Sequence, residues 1–221
     1  MSLNMDAEES FLIQNQDPID KIQAQLLCYA RDINRLVAER SALIEKHAKL
    51  LEQAHHDPLT GLPNRRLLSD RIEQAIAQAW RNIGGFAVLY VDLDRLKPIN
   101  DTHGHSFGDA ALKIQSDRMV NSLRKIDTVA RVGGDEFIIL AHGLTLKSEI
   151  CKLAEKLLAA LSEPIYWDGV ELTMGASIGI VRFPEDATDK DSLYCLADHV
   201  MYDVKRAGGG CYRLYHPTEA V

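Results

Sequence analysis

The chain has no apolar run approaching the roughly 20 residues that a membrane-spanning helix needs, and no secretory leader is visible. A cytoplasmic location is therefore expected. Cysteine is scarce: four residues, Cys28, Cys151, Cys195 and Cys211, lie scattered with no CxxC pair. That spacing excludes a disulfide framework or a thiolate zinc site and predicts reduced packing residues. Positive charge is in deficit, with 25 Lys and Arg against 32 Asp and Glu and a net charge of −7. A general nucleic-acid surface would be basic, so nucleic acid is not an expected partner. Proline and glycine are missing altogether between Ile19 and Leu51.

Within that gap apolar residues recur three and four apart: Ile19, Ile22, Leu26, Tyr29, Ile33, Leu36, Leu43 and Leu50. This is a heptad seam, interrupted by Arg40 and His47. Polar seam residues lower stability but fix register and strand number. A straight helix of this length would overhang a small domain. Residues 18–55 are therefore expected to form a parallel two-stranded coiled coil, which makes the protein a homodimer. Residues 1–17 are polar and aperiodic, and are expected to be flexible. Residues 56–221 are long enough for one domain with a well-buried core.

This domain alternates α and β patterns, and the expected fold class is α/β in sequence order and α+β in packing. A central, mainly antiparallel sheet is flanked by helices. Helical spacing covers 66–80, 108–123 (Ala111, Leu112, Ile114 and Val120 inward), 147–161 and 192–206. Strands are expected at 86–91, 170–181 with Gly175 marking a bulge, and 212–215. Two further apolar runs, 128–132 and 137–140, are joined by Gly133-Gly134 and read as a hairpin whose tight primed turn needs φ > 0. Asp135 and Glu136 follow at its tip, where two anions call for a positive partner, most simply a metal. The run Phe86–Val91 ends in Asp92-Leu93-Asp94. A carboxylate at the end of a buried strand is costly unless solvated, paired or metal-bound. If this strand lies beside the hairpin, Asp92 and Asp135 converge on one cation, and hard oxygen donors suit Mg²⁺. Capping of the next helix by Asp92 or Asp94 is an equal reading of the same spacing.

Four stretches occur in order: Asp57-Pro58-Leu59-Thr60-Gly61-Leu62-Pro63-Asn64-Arg65, then Asp92 through Asp101, then Gly104-His105-Ser106-Phe107-Gly108-Asp109, then Gly133-Gly134-Asp135-Glu136-Phe137. Together they resemble the GGDEF domain of diguanylate cyclases over most of the chain. The resemblance implies a palm-like sheet related to nucleotidyl cyclases. It also implies condensation of two GTP into cyclic di-GMP, with release of two pyrophosphates and dependence on Mg²⁺ or Mn²⁺. It assigns Asp92, Asp135 and the Leu93 carbonyl to the metal, and Asp135 and Glu136 to catalysis. Gly133, Gly134 and the backbone amides of Arg95, Leu96 and Lys97 would receive phosphates. Asn100 and Asp109 match the guanine readers, an amide and a carboxylate facing an edge with one acceptor and two donors. Without the resemblance, Asn100 reads as a helix C-cap and Asp109 as a first-turn residue. Lys205 matches a phosphate-binding lysine.

Arg124 and Asp127 form an RxxD pair that the resemblance assigns to a product-inhibition site for cyclic di-GMP, with Lys156 as a secondary basic partner. In isolation the pair reads as a helix-end ion pair. Two departures stand out. Gly209 occupies the place of an expected arginine, and Arg206 projects about 100° around the helix from Lys205. Leu96 replaces a common phenylalanine. One site holds one GTP, so bond formation needs two domains facing each other, brought together by the coiled coil. His55-His56 and His103/His105 lack a third ligand and are expected in packing or turn roles.

Overall fold

A computed structural model describes residues 5–82 and 84–217. The chain divides into two compact units, Met1–Glu52 and Gln53–Val221, so the boundary falls three residues before the expected one. The first unit is formed by one helix, α1 (Met5–His55), whose last three residues belong to the second unit. Residues 5–17, expected to be flexible, are helical, and residues 1–4 of that expectation lie outside the described residues. Good helix formers flank Pro18, Glu, Gln and Leu before it and Lys, Gln, Ala and Leu after it, and the helix runs across it. The seam residues Ile19, Ile22, Leu26, Tyr29, Ile33, Leu36, Leu43 and Leu50 are each at least half exposed.

The second unit is built on a five-stranded sheet in the order β2-β3-β1-β6-β7. Its strands are β1 (Phe86–Asp94), β2 (Thr128–Arg131), β3 (Glu136–His142), β6 (Gly175–Phe183) and β7 (Tyr212–Leu214). A separate short hairpin, β4 (Ile165–Trp167) and β5 (Val170–Leu172), stands apart from it. Within the five-stranded sheet the β6–β7 ladder is parallel and the β1–β3, β1–β6 and β2–β3 ladders are antiparallel. The period of two in side-chain direction gives the sheet two buried faces. Leu89, Val91 and Leu93 of β1 join a core with α3 (Leu96–His103), α4 (His105–Ser122) and α5 (Lys147–Leu161). Phe86, Val88 and Tyr90 face the other way, against α2 (Arg65–Asn82) and α6 (Lys190–Arg206). This explains the unbroken apolar run in β1, the middle strand.

Three local expectations are corrected. Val120 is 47% exposed; the inner face of α4 runs through Ala111, Leu112, Gln115 and Met119, about 100° away from it. Gln115 is fully buried because its amide donates to the Leu161 carbonyl at 2.8 Å. Gly175 starts β6 and is not a bulge: it pairs with Asp94, and a Cβ there would stand 3.0 Å from Asp94 Oδ2. The expected packing cysteines Cys28, Cys195 and Cys211 are exposed, with Cys151 half-buried, and all four are free thiols. Among the described residues no helix is long and apolar enough to cross a membrane.

Candidate active site

Asp92 lies at the end of β1, opposite Glu136 on one side and Ser177 on the other. Directly opposed residues share a sheet face. Glu136, Asp92 and Ser177 thus form one polar row across three strands, on the face covered by α2 and α6. Asp92 is 3% exposed. The Lys205 ammonium, from the last turn of α6, stands 2.7 Å from the buried Asp92 Oδ1 and is its ion-pair partner. Burial pushes the Asp92 carboxyl up to about 6; the nearby Asp135 and Asp94 charges add to this and Lys205 opposes it. Burial also disfavours the Lys205 charge, but contact with Asp92 and the charges of Asp92, Asp135 and Asp94 hold its pKa above the usual lysine value.

The signature loop is not a two-residue primed turn. It runs from Val132 to Asp135, and neither Gly133 nor Gly134 has positive φ. Val132 and Gly133 both donate to the Glu136 carbonyl, at 3.0 and 3.4 Å. Glycine at 133 leaves room of another kind: the Glu136 carboxylate folds over it, and a Cβ would lie 2.5 Å from Glu136 Oε2, so that flexible side chain would have to shift. Gly134 faces open space. The Leu93 amide donates to the Asp135 carbonyl at 3.1 Å, which fastens the loop to the end of β1. Glu136 lies beside the Tyr90 phenol, whose pKa rises to about 12 through burial and the charges of Glu136 and Asp198.

Neither Asp92 nor Asp94 caps α3. The N-cap is Arg95, in a left-handed conformation with φ 69° and no side-chain cap, so the free amides opening α3 keep no carboxylate partner. Asp94 instead accepts from Ser177 Oγ and from the Gly210 amide, both at 2.9 Å. Gly208 and Gly209 close α6 by donating to the Lys205 and Val204 carbonyls, a Schellman arrangement. Gly209 has φ +70°, and a Cβ there would stand 2.9 Å from Asp94 Oδ2. The position expected to carry arginine is thus built for glycine. Arg95 and Lys97 are exposed, whereas Leu96 is buried in the core.

Asn100 sits on α3 with its Oδ1 buried and without a hydrogen-bond partner, packed over Gly108, where a Cβ would lie 1.9 Å from Oδ1. Gly104, and not Asn100, caps the end of α3. Exposed Asp109 follows Gly108 on α4, so the structure brings the two guanine candidates to one place. Arg124 and Asp127 line a separate cleft of about 410 Å³ together with Lys152, Leu153 and Lys156. Asp127 turns both carboxylate oxygens to backbone amides, those of Arg124 and His142, each at 3.0 Å, and it does not form the helix-end ion pair with Arg124. Lys156 donates to the Ser122 carbonyl at 2.8 Å.

Arg131, on β2, was not legible as a site residue. Its guanidinium donates to Asp57 Oδ1 at 3.0 Å and to the Gly134 carbonyl at 2.8 and 3.2 Å. Asp57 also receives the Thr60 amide and hydroxyl. Burial alone would raise its pKa, but these bonds hold it below the ordinary aspartate value. Asn64 donates to the Ala54 carbonyl, and its amide to that of His55, so the end of α1 is tied to the same turn. The only advance signal was an arginine one strand-end before two glycines. His56 Nδ1 is buried without a partner, and His103 packs on Phe107. Among the described residues no group of three or more His, Cys, Asp or Glu side chains forms a metal site. The donor set fits a cation differently: a buried carboxylate already paired with one positive group, a second carboxylate near it and a strand-end carbonyl, few hard oxygens of the kind Mg²⁺ accepts.

A mainly antiparallel sheet flanked by helices, with carboxylates gathered at the end of its central strand, defines an α+β domain. A family model described as diguanylate cyclase, GGDEF domain, matches residues 54–211. The chain belongs to this family. Diguanylate cyclase TpbB of Pseudomonas aeruginosa is 38% identical over 196 residues, 86% of this chain and 45% of that protein. The bifunctional diguanylate cyclase/cyclic di-GMP phosphodiesterase MucR of the same species is 42% identical over 189 residues, 84% of this chain and 27% of its own. The chain therefore spans less than half the length of these curated relatives. The solved GGDEF domain of TpbB superposes with a TM-score of 0.71 at 39% identity, covering 73% of this chain and 95% of that one. The coiled coil and GGDEF domain of DgcB from Caulobacter crescentus, solved with c-di-GMP, shares the fold at 23% identity, with a TM-score of 0.70 and coverage of 83% and 99%.

Proposed function

We propose that this protein is a diguanylate cyclase that condenses two GTP into cyclic di-GMP in the cytoplasm. The observation that carries the reading is three carboxylates, Asp92, Asp94 and Asp135, acting on a single ammonium at the strand end. That charge balance favours a further cation, and Mg²⁺ or Mn²⁺ held by Asp92, Asp135 and the Leu93 carbonyl would neutralise phosphate charge as the α-phosphorus is attacked. Each half-reaction forms one bond from a ribose 3′-oxygen to an α-phosphorus and breaks that phosphorus's bond to pyrophosphate. Glu136 or Asp135 takes the hydroxyl proton. Asn100 and Asp109 select guanine, and the free amides of Arg95, Leu96 and Lys97 receive the terminal phosphates. Gly133 and Gly134 leave the loop backbone open to the nucleotide.

Because one site holds one GTP, the reaction needs a homodimer with two half-sites opposed, and the exposed seam of α1 supports a coiled coil as the means. The cleft at Arg124 and Asp127 would bind product and restrain the enzyme. Gly209 favours a second reading, a receptor that binds GTP or cyclic di-GMP without turnover. Chromatography of products from GTP and Mg²⁺ separates the two. The cyclase yields cyclic di-GMP and two pyrophosphates per product, whereas a receptor leaves bound GTP intact.

A further inference from the structure

Lys205 is placed oddly for a residue whose only task is to hold phosphate. Its ammonium stands 2.7 Å from Asp92 Oδ1, and the Asp94 and Asp135 charges act on it as well. Asp92 is fixed by ladders on both sides and 5% exposed in its side chain, while the Lys205 side chain is 40% exposed. One partner is immobile and the other can swing. A divalent cation and an ammonium at contact distance from the same carboxylate oxygen would repel strongly in so buried a place.

Building on the cation site proposed above, we propose that Lys205 is the resident countercation of the nucleotide-free protein and gates entry of the divalent metal. While the lysine sits on Asp92, metal alone binds weakly. A triphosphate offers the ammonium a second anionic partner, so the lysine leaves Asp92 as the nucleotide arrives and the metal takes its place. Metal and nucleotide then bind cooperatively, and metal is not loaded first. This ordering keeps the acidic site neutralised between turnovers without a bound metal.

The test is calorimetric titration of Mn²⁺ into the full chain without nucleotide, for wild type, Lys205→Met, Lys205→Arg and Asp92→Asn. Lys205→Met should bind Mn²⁺ about tenfold or more tightly than wild type, and Lys205→Arg as weakly as wild type. With a GTP analogue lacking the 3′-hydroxyl, wild-type Mn²⁺ affinity should rise while that of Lys205→Met changes little. Lys205→Gln serves the same arm should the methionine variant not fold. If both neutral variants bind Mn²⁺ no more tightly than wild type while Asp92→Asn loses it, the gating role is wrong and the cation site stands. If Asp92→Asn binds Mn²⁺ as wild type does, the cation site itself is wrong.

Discussion

Burial keeps the Asp92 carboxyl near pKa 6, against 3.8 for the ordinary side chain, with Asp135 and Asp94 adding to the push. The native protein therefore holds this proton more firmly than the unfolded chain does. The stabilisation is fully present below pH 3.8 and is lost as pH rises through about 6. At neutral pH, without metal, an ionised Asp92 is a burden. Asp92→Asn should raise the metal-free melting temperature, by an amount on the order of 2 kcal/mol in stability, and abolish the thermal shift that Mg²⁺ adds in the presence of a GTP analogue. A lower melting point for Asp92→Asn would contradict this charge balance. Asp92 and Asp135 were legible because acids at a strand end and a loop tip break apolar runs. Asp94 was not, since its partners, Ser177 and Gly210, lie 83 and 116 residues away.

At the scale of elements, Arg131 joins three segments: its own strand, the Asp57 turn and the signature loop through the Gly134 carbonyl. Arg131→Ala should lower the unfolding free energy measured in urea by about 1–3 kcal/mol, because it strips a half-buried carboxylate and a carbonyl of their donors. Arg131→Lys should recover only part of this, lacking the planar fork. Asp57 adds a pH signature. Its lowered pKa gives stability present above pH 3.8 and lost as pH falls through the lowered value, so the variant should lose less stability in acid than wild type. Equal acid sensitivity in both proteins would sink this assignment. Most elements were readable from periodicity, α5 (Lys147–Leu161) among them, because one face is apolar at helical spacing. Turn geometry was not. Gly133 lies under a carboxylate that folds back on it, a contact invisible to local pattern.

At the scale of the molecule, the strand order β2-β3-β1-β6-β7 was beyond reach of local pattern, because it depends on which long-range ladders form. The two-part division was legible, since a 33-residue stretch without proline or glycine and with heptad spacing reads as one long helix. A protein lacking residues 1–52 should sediment as a monomer and lose about tenfold or more specific activity at low concentration, with activity returning as concentration rises. Undiminished activity in dilute monomer would refute the need for two opposed half-sites. The central claim is that Asp92 and Asp135 grip one cation together. Anomalous diffraction from crystals soaked with Mn²⁺ and a GTP analogue lacking the 3′-hydroxyl tests it most directly. The account predicts a manganese peak within bonding distance of oxygens from both residues; two well-ordered carboxylates with no peak between them would contradict it.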